Sequence, residues 1–234
     1  MFDNLSEDTN PSLIKFEQML KTNQVLFFDA LEFENIIHHY IDFAQFNLAK
    51  KAIKMGMEQH PENVEIMLLK SELFLVDGSY NEAENILNDI ERISPEHEEI
   101  FLQRANIFSK KKNHPKAIEL LKKALNVCEE PTEIWNLLGM EYLFQEDYIK
   151  AKKYFHKCLK ENTFDYQSLY NLLYCFEQLG ENLEAIDTLN NLLEINPYSE
   201  VAWHQLGKIY IKINKTEEAL SAFEFAIISD DCYT

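Results

Sequence analysis

The chain has 234 residues and a formal charge of −18, from 40 acidic and 22 basic side chains. So large an acid excess, with Arg92 and Arg104 the only arginines, excludes a phosphate-neutralising nucleic-acid surface, which needs clustered cations. Five glycines and six prolines are too few for the turns of a sheet protein, and no apolar run approaches the ~20 residues of a membrane-spanning helix.

The first eleven residues are polar and acidic, without a basic start followed by an apolar stretch, so no secretory leader is expected and the cytoplasm is the expected compartment. Pro11 to Thr22 reads as a helix. Proline opens it, and Leu13, Phe16 and Leu20 share one face while Lys15, Glu17 and Lys21 point away. Asp29 is placed to cap a second helix, with Glu32 three residues on to complete a capping box. Residues 1–29 are therefore expected to form a tail and an N-terminal capping helix.

From Ala30 the sequence repeats. Alanine recurs at Ala49, Ala83, Ala117, Ala151, Ala185 and Ala219, each 34 residues after the last. Nine residues before each stands an aromatic: Tyr40, Phe74, Phe108, Tyr142, Phe176 and Tyr210. Twelve residues before it is a usually small residue (Ser71, Ala105, Gly139, Gly207), and four after it is Ile53, Leu87, Leu121, Phe155, Leu189 or Phe223. Offsets of three, four and seven place one apolar stripe on each of two helices per repeat. A single pair cannot bury its apolar face alone, so stability must come from stacking. Pro61, Pro95 and Pro197 stop the second helices. The departures carry expectations too. Ile37 and Leu173 at the small position, and Lys70 and Arg104 on an otherwise apolar stripe, predict looser or rotated packing in the second, third and fifth repeats. Glu129, Thr163 and Asp231 in place of the stopping proline predict helices that run on slightly.

This pattern resembles the tetratricopeptide repeat (TPR) family over six units, residues 30–63, 64–97, 98–131, 132–165, 166–199 and 200–233. The resemblance implies an all-α fold, a right-handed α-solenoid of stacked antiparallel helix pairs forming one continuous domain. It is similar to the N-terminal part of a longer bacterial-type TPR protein. In that family the first helix of each unit lines a concave groove that binds a protein or peptide. The register then nominates Asn136, Met140, Phe144, Tyr170, Asn171, Tyr174, His204, Gln205 and Lys208 as partner-binding residues. An acidic stretch of the same groove precedes them, with Glu34, His38, Glu65 and Glu72. One family subtype clamps C-terminal carboxylates with Lys and Asn. Here Asn106 alone fits, with Leu102 and Leu137 in neighbouring slots, so that ligand is not expected.

Nothing in the sequence reads as catalytic. It contains no glycine-rich phosphate loop and no nucleophile elbow. His38 and His39 point about 100° apart on a helix. Cys128, Cys158, Cys175 and Cys232 are too widely spaced for a zinc site or a disulfide framework. No enzyme activity, cofactor or metal is expected, and Lys110, Lys111 and Lys112 read as an exposed turn. The expected function is a scaffold for a protein or peptide, with no nucleic-acid or membrane partner. The alternatives are a module that self-associates end to end through an uncapped C-terminal face (Leu220, Phe223, Ile227) and the targeting arm of a larger protein.

Overall fold

The computed structural model describes residues 11–22 and 25–231. Cys232 and the polar segment 1–10 lie outside the described residues. The helices in chain order are α1 (Pro11–Thr22), α2 (Ala30–Asp42), α3 (Phe46–Gln59), α4 (Val64–Val76), α5 (Tyr80–Ile93), α6 (Glu98–Lys110), α7 (His114–Val127), α8 (Thr132–Phe144), α9 (Tyr148–Glu161), α10 (Tyr166–Leu179), α11 (Asn182–Ile195), α12 (Glu200–Lys212) and α13 (Thr216–Asp231). Among the described residues there is no strand. The chain gathers into two compact units, residues 1–111 and 112–234, divided between α6 and α7.

Two local devices recur with the repeat. The first is a cap. The helices that open the repeats begin at residues 30, 64, 98, 132, 166 and 200. Five of them follow a side chain that accepts a backbone N–H of the first turn: Asp29, Asn63, His97, Asp165 and Ser199. Such acceptors satisfy donors that the helix leaves orphaned. The capping box of Asp29 and Glu32 is formed. The second device is a left-handed turn. Ala44, Gly78, Lys112, Glu146, Gly180 and Asn214 all have φ between 54° and 75°, one per repeat. The residue after five of them donates its N–H to the carbonyl of the repeat's aromatic: Gln45 to Tyr40, Ser79 to Phe74, Asp147 to Tyr142, Glu181 to Phe176 and Lys215 to Tyr210, at 2.7–3.0 Å. This six-to-one closure ends the first helix and reverses the chain into the second.

In unit 1, α1 lies on α2 and buries Phe16 against Phe28, Phe33 and Tyr40, with ring centroids 5.9–6.4 Å apart. All six in-phase alanines are buried. In unit 2 the small residue and the side chain four positions past the alanine are fitted to each other. A Cβ on Gly139 would lie 2.6 Å from Phe155, and one on Gly207 2.6 Å from Phe223.

The departures resolve in different ways. Arg104 is met by partners from the preceding repeat: its side chain, 12% exposed, donates to Glu84, Asn88 and Glu91 of α5. In the fifth repeat α10 packs far more extensively on α9 than on its own partner α11, as Leu173 at the small position leads one to expect. The stopping prolines prove dispensable: α7 and α9 end in register with α3, α5 and α11, and α13 alone runs further. After α9, Asn162 accepts the Phe164 N–H and Asp165 caps α10, which ends the helix without proline.

Candidate binding cleft between α10 and α12

Both walls of the cleft are set by the devices above. Helix α10 starts where Asp165 accepts the Ser168 N–H at 3.0 Å and stops at Gly180 with φ 72°. Helix α12 starts where Ser199 accepts the Ala202 N–H at 3.3 Å. With its ends fixed, α10 turns Leu169, Leu172, Cys175 and Phe176 inward. That leaves Tyr170, Tyr174 and Glu177, at i, i+4 and i+7, on the opposite stripe. On α12 the inward side is Ala202, Leu206 and Gly207, and Gln205, Lys208 and Lys212 turn toward α10.

Between them is a cavity of about 270 Å³. Tyr170, Tyr174, Gln205 and Lys208 line it together with Leu173, Glu177 and Lys212. The two tyrosines are 44% and 46% exposed. Tyr174 meets Tyr148 edge-on at 6.1 Å, and burial raises the Tyr148 hydroxyl above its ordinary pKa. Lys212 donates to Glu177 at 2.9 Å, an ion pair that joins the two walls at one end. The shallow pairing of α10 with α11 leaves Asn182 and Ala185 of α11 at the floor.

Four of the nine residues nominated from the repeat register therefore share one cleft. Three others form a seam on its far side, between α8 and α10: Asn136 donates to Ser168 at 3.2 Å, and Asn171 lies 3.5 Å from the Met140 sulfur. Phe144 packs on His114 at 5.2 Å and His204 on Phe223 at 5.8 Å, and neither lines this cavity. Glu177 was not nominated. Its spacing of 35 from Lys212, one more than the repeat, is the sequence signal that would have found the pair.

The arrangement supplies aromatic contact area, an amide and both charges, which suits recognition. Burial pushes the Cys175 thiol up to about 11 and also raises that of Cys158, so both are protonated near neutral pH and poor nucleophiles. Among the described residues no three His, Cys, Asp or Glu side chains converge as metal donors. No helix among them is long and apolar enough to cross a membrane.

Residues 57–226 match the family model of the ChAPs, the Chs5p-Arf1p-binding proteins. The chain belongs to the ChAPs family. Among curated relatives, this ChAPs-family chain is 28% identical over 127 residues to anaphase-promoting complex subunit 3 of Schizosaccharomyces pombe, a match covering 54% of the chain and 19% of that relative. The chain thus spans less than a fifth of that protein's length. Among solved structures it resembles pilF of Pseudomonas aeruginosa with a TM-score of 0.65 at 13% identity, covering 82% of this chain and 88% of that one. It also resembles YrrB, described as a TPR protein with an unusual peptide-binding site, with a TM-score of 0.56 at 18% identity, covering 76% and 92%. At such identities the structural likeness establishes the fold, and that fold is the stacked helix pair of tetratricopeptide repeats.

Proposed function

We propose that this ChAPs-family chain is a protein-interaction scaffold, and that residues 112–234 hold an extended polypeptide segment along the α10–α12 cleft. The observation that carries the reading is the stripe of half-exposed Tyr170 and Tyr174 facing Gln205 and Lys208 across one cavity. Tyrosines give large contact area for little lost side-chain freedom, and a glutamine amide can pair with either group of a passing backbone. Asn136, Met140, Asn171, Phe144 and His204 extend the same reading along the groove. The family's description by the proteins it binds, and the peptide site that YrrB is described as having, support it by analogy.

Panning a random peptide library against the whole chain tests this. Peptides so selected should lose about tenfold or more in affinity when Tyr170 and Tyr174 are both changed to Ala. Selected peptides that bind the double variant as tightly as the parent would end the assignment.

A second reading draws on α13, where Leu220, Phe225, Ile227 and Ile228 are each at least half exposed. An apolar face of this kind favours association, here with a second copy. Sedimentation that does not change with concentration would rule it out.

A further inference from the structure

Unit 1 holds a second cleft, between α2, α4 and α6, of opposite chemistry. About 320 Å³ of space is bounded by Glu34, Glu65, Glu72, Glu99 and Gln103, with His38 and His97 at its sides. Among the described residues that line it there is no lysine or arginine.

Gln103 is 6% exposed. Its Nε2 donates to the Leu68 carbonyl and to Glu99 Oε1, each at 3.2 Å. Both neighbours are acceptors only, so the amide cannot be turned over without setting oxygen against oxygen. The Gln103 Oε1 is thereby fixed in place, buried and without a donor. Buried acceptors are nearly always paired, so this one is an unmet acceptor on a side chain that lines the cleft.

The histidine beside it does not supply the missing donor. His97 Nδ1 accepts the Glu99 N–H at 3.3 Å to cap α6. In the neutral ring the proton then sits on Nε2, which faces Glu65 at 3.4 Å. Burial, and next the charge of Glu65, raise the Glu34 carboxyl above its ordinary value. The Gln103 Oε1 is therefore left without a donor in a cleft lined by four glutamates and by no lysine or arginine.

We propose that this cleft takes an arginine side chain from a basic peptide segment, with the guanidinium donating to Gln103 Oε1 and its charge met by Glu34, Glu65 and Glu72. A guanidinium presents five donors in a plane and is weakly hydrated, which suits several acceptors around a partly buried oxygen; a lysine ammonium is compact and strongly hydrated. The site goes beyond the reading given for residues 112–234 and shares no residue with it.

The test is fluorescence anisotropy on the full chain, using a labelled nonapeptide of alternating arginine and serine, capped at both ends. Changing Glu65 and Glu72 together to Gln should weaken binding about tenfold, while changing Glu82 and Glu146, outside the cleft, should leave it nearly unchanged. Gln103→Met, checked for helicity by circular dichroism, should also weaken it, and the Tyr170→Ala/Tyr174→Ala chain should not. Equal weakening by the two glutamate pairs would reduce the interaction to general charge attraction and overturn the site. So would an absence of binding, or a lysine version of the peptide that binds as tightly as the arginine one.

Discussion

At the scale of single residues, the left-handed turn is the most regular feature of the molecule and one the sequence conceals. Glycine occupies it only at Gly78 and Gly180, while Ala44, Lys112, Glu146 and Asn214 adopt the same backbone. A side chain with φ near 60° clashes with its own backbone, a strain that glycine escapes. Glu146→Gly and Ala44→Gly should therefore each stabilise the fold by roughly 0.5–1 kcal/mol, and Gly180→Ala should destabilise it by about 1 kcal/mol, read as shifts of the urea midpoint. The buried alanines, by contrast, were legible from their spacing alone. Less so was the partner of the small residue. Gly139 faces Phe155 and Gly207 faces Phe223, while Leu173 stands in register with the smaller Leu189. The volumes at the two positions compensate each other. Gly139→Ala should cost about 1–3 kcal/mol of overpacking, set against about 1 kcal/mol gained in helix propensity. Gly207→Ala should cost less, because Phe223 is only partly buried and Phe155 is enclosed. Equal midpoint shifts for the two variants would refute this account, and Phe155→Leu should relieve Gly139→Ala.

At the scale of elements, the first helices and the Asp29–Glu32 capping box could be read from the sequence because each depends on residues within a turn of one another. What could not be read is how a departure from the pattern is accommodated. A charged Arg104 on an apolar stripe predicts loosening, and in the structure Glu84, Asn88 and Glu91 gather around its charge from α5. Those partners lie 13 to 20 residues away and give no local signal. Hydrogen bonding to Glu91 moves the guanidinium pKa further up against the opposing effect of burial. Arg104→Ala removes both these bonds and the packing of the aliphatic stem. Since Glu84 and Glu91 are partly open to water, the cost should be about 1–3 kcal/mol, below that of a fully buried pair. Arg104→Met should recover part of it through the stem, and thermal melts of the two variants distinguish stem from charge. A midpoint unchanged in both would mean that the network contributes nothing. At Leu173, α10 packs more on α9 than on its own partner α11, and the cleft toward α12 is where the candidate site lies. The register nominates residues on both walls, but that choice of neighbour depends on packing between repeats.

At the scale of the whole molecule, the dominant quantity is charge. Most of the lysine and arginine ion pairs are exposed contacts, worth about 0–1 kcal/mol each. Against them stands a surplus of 18 negative charges, whose mutual repulsion acts at longer range and is screened by salt. Raising sodium chloride from about 20 to about 200 mM, which shortens the screening length to less than a helix diameter, should therefore raise the thermal midpoint. A falling midpoint would mean that the pairs outweigh the repulsion. Glu34 makes the same point locally. Its carboxyl is raised above 4.5 by burial and by Glu65, so the folded state holds that proton more tightly than the unfolded chain. The resulting penalty is absent below about 4.5, grows as pH rises through the range just above it, and is complete at neutrality. His156, lowered from 6.5 by burial, acts in the opposite sense as pH falls below that value, while Glu32, Glu119 and Asp147, all lowered, contribute stability that is lost only further down. Comparing Glu34→Gln with the parent isolates one group among these. The variant should be the more stable at pH 7, its advantage shrinking on acidification and disappearing below about 4.5; an advantage independent of pH would assign the effect to packing. The same change should weaken the arginine peptide in the α2–α4–α6 cleft. Together the two results would show a negative cluster maintained at the expense of stability, the usual sign of a surface kept for a ligand.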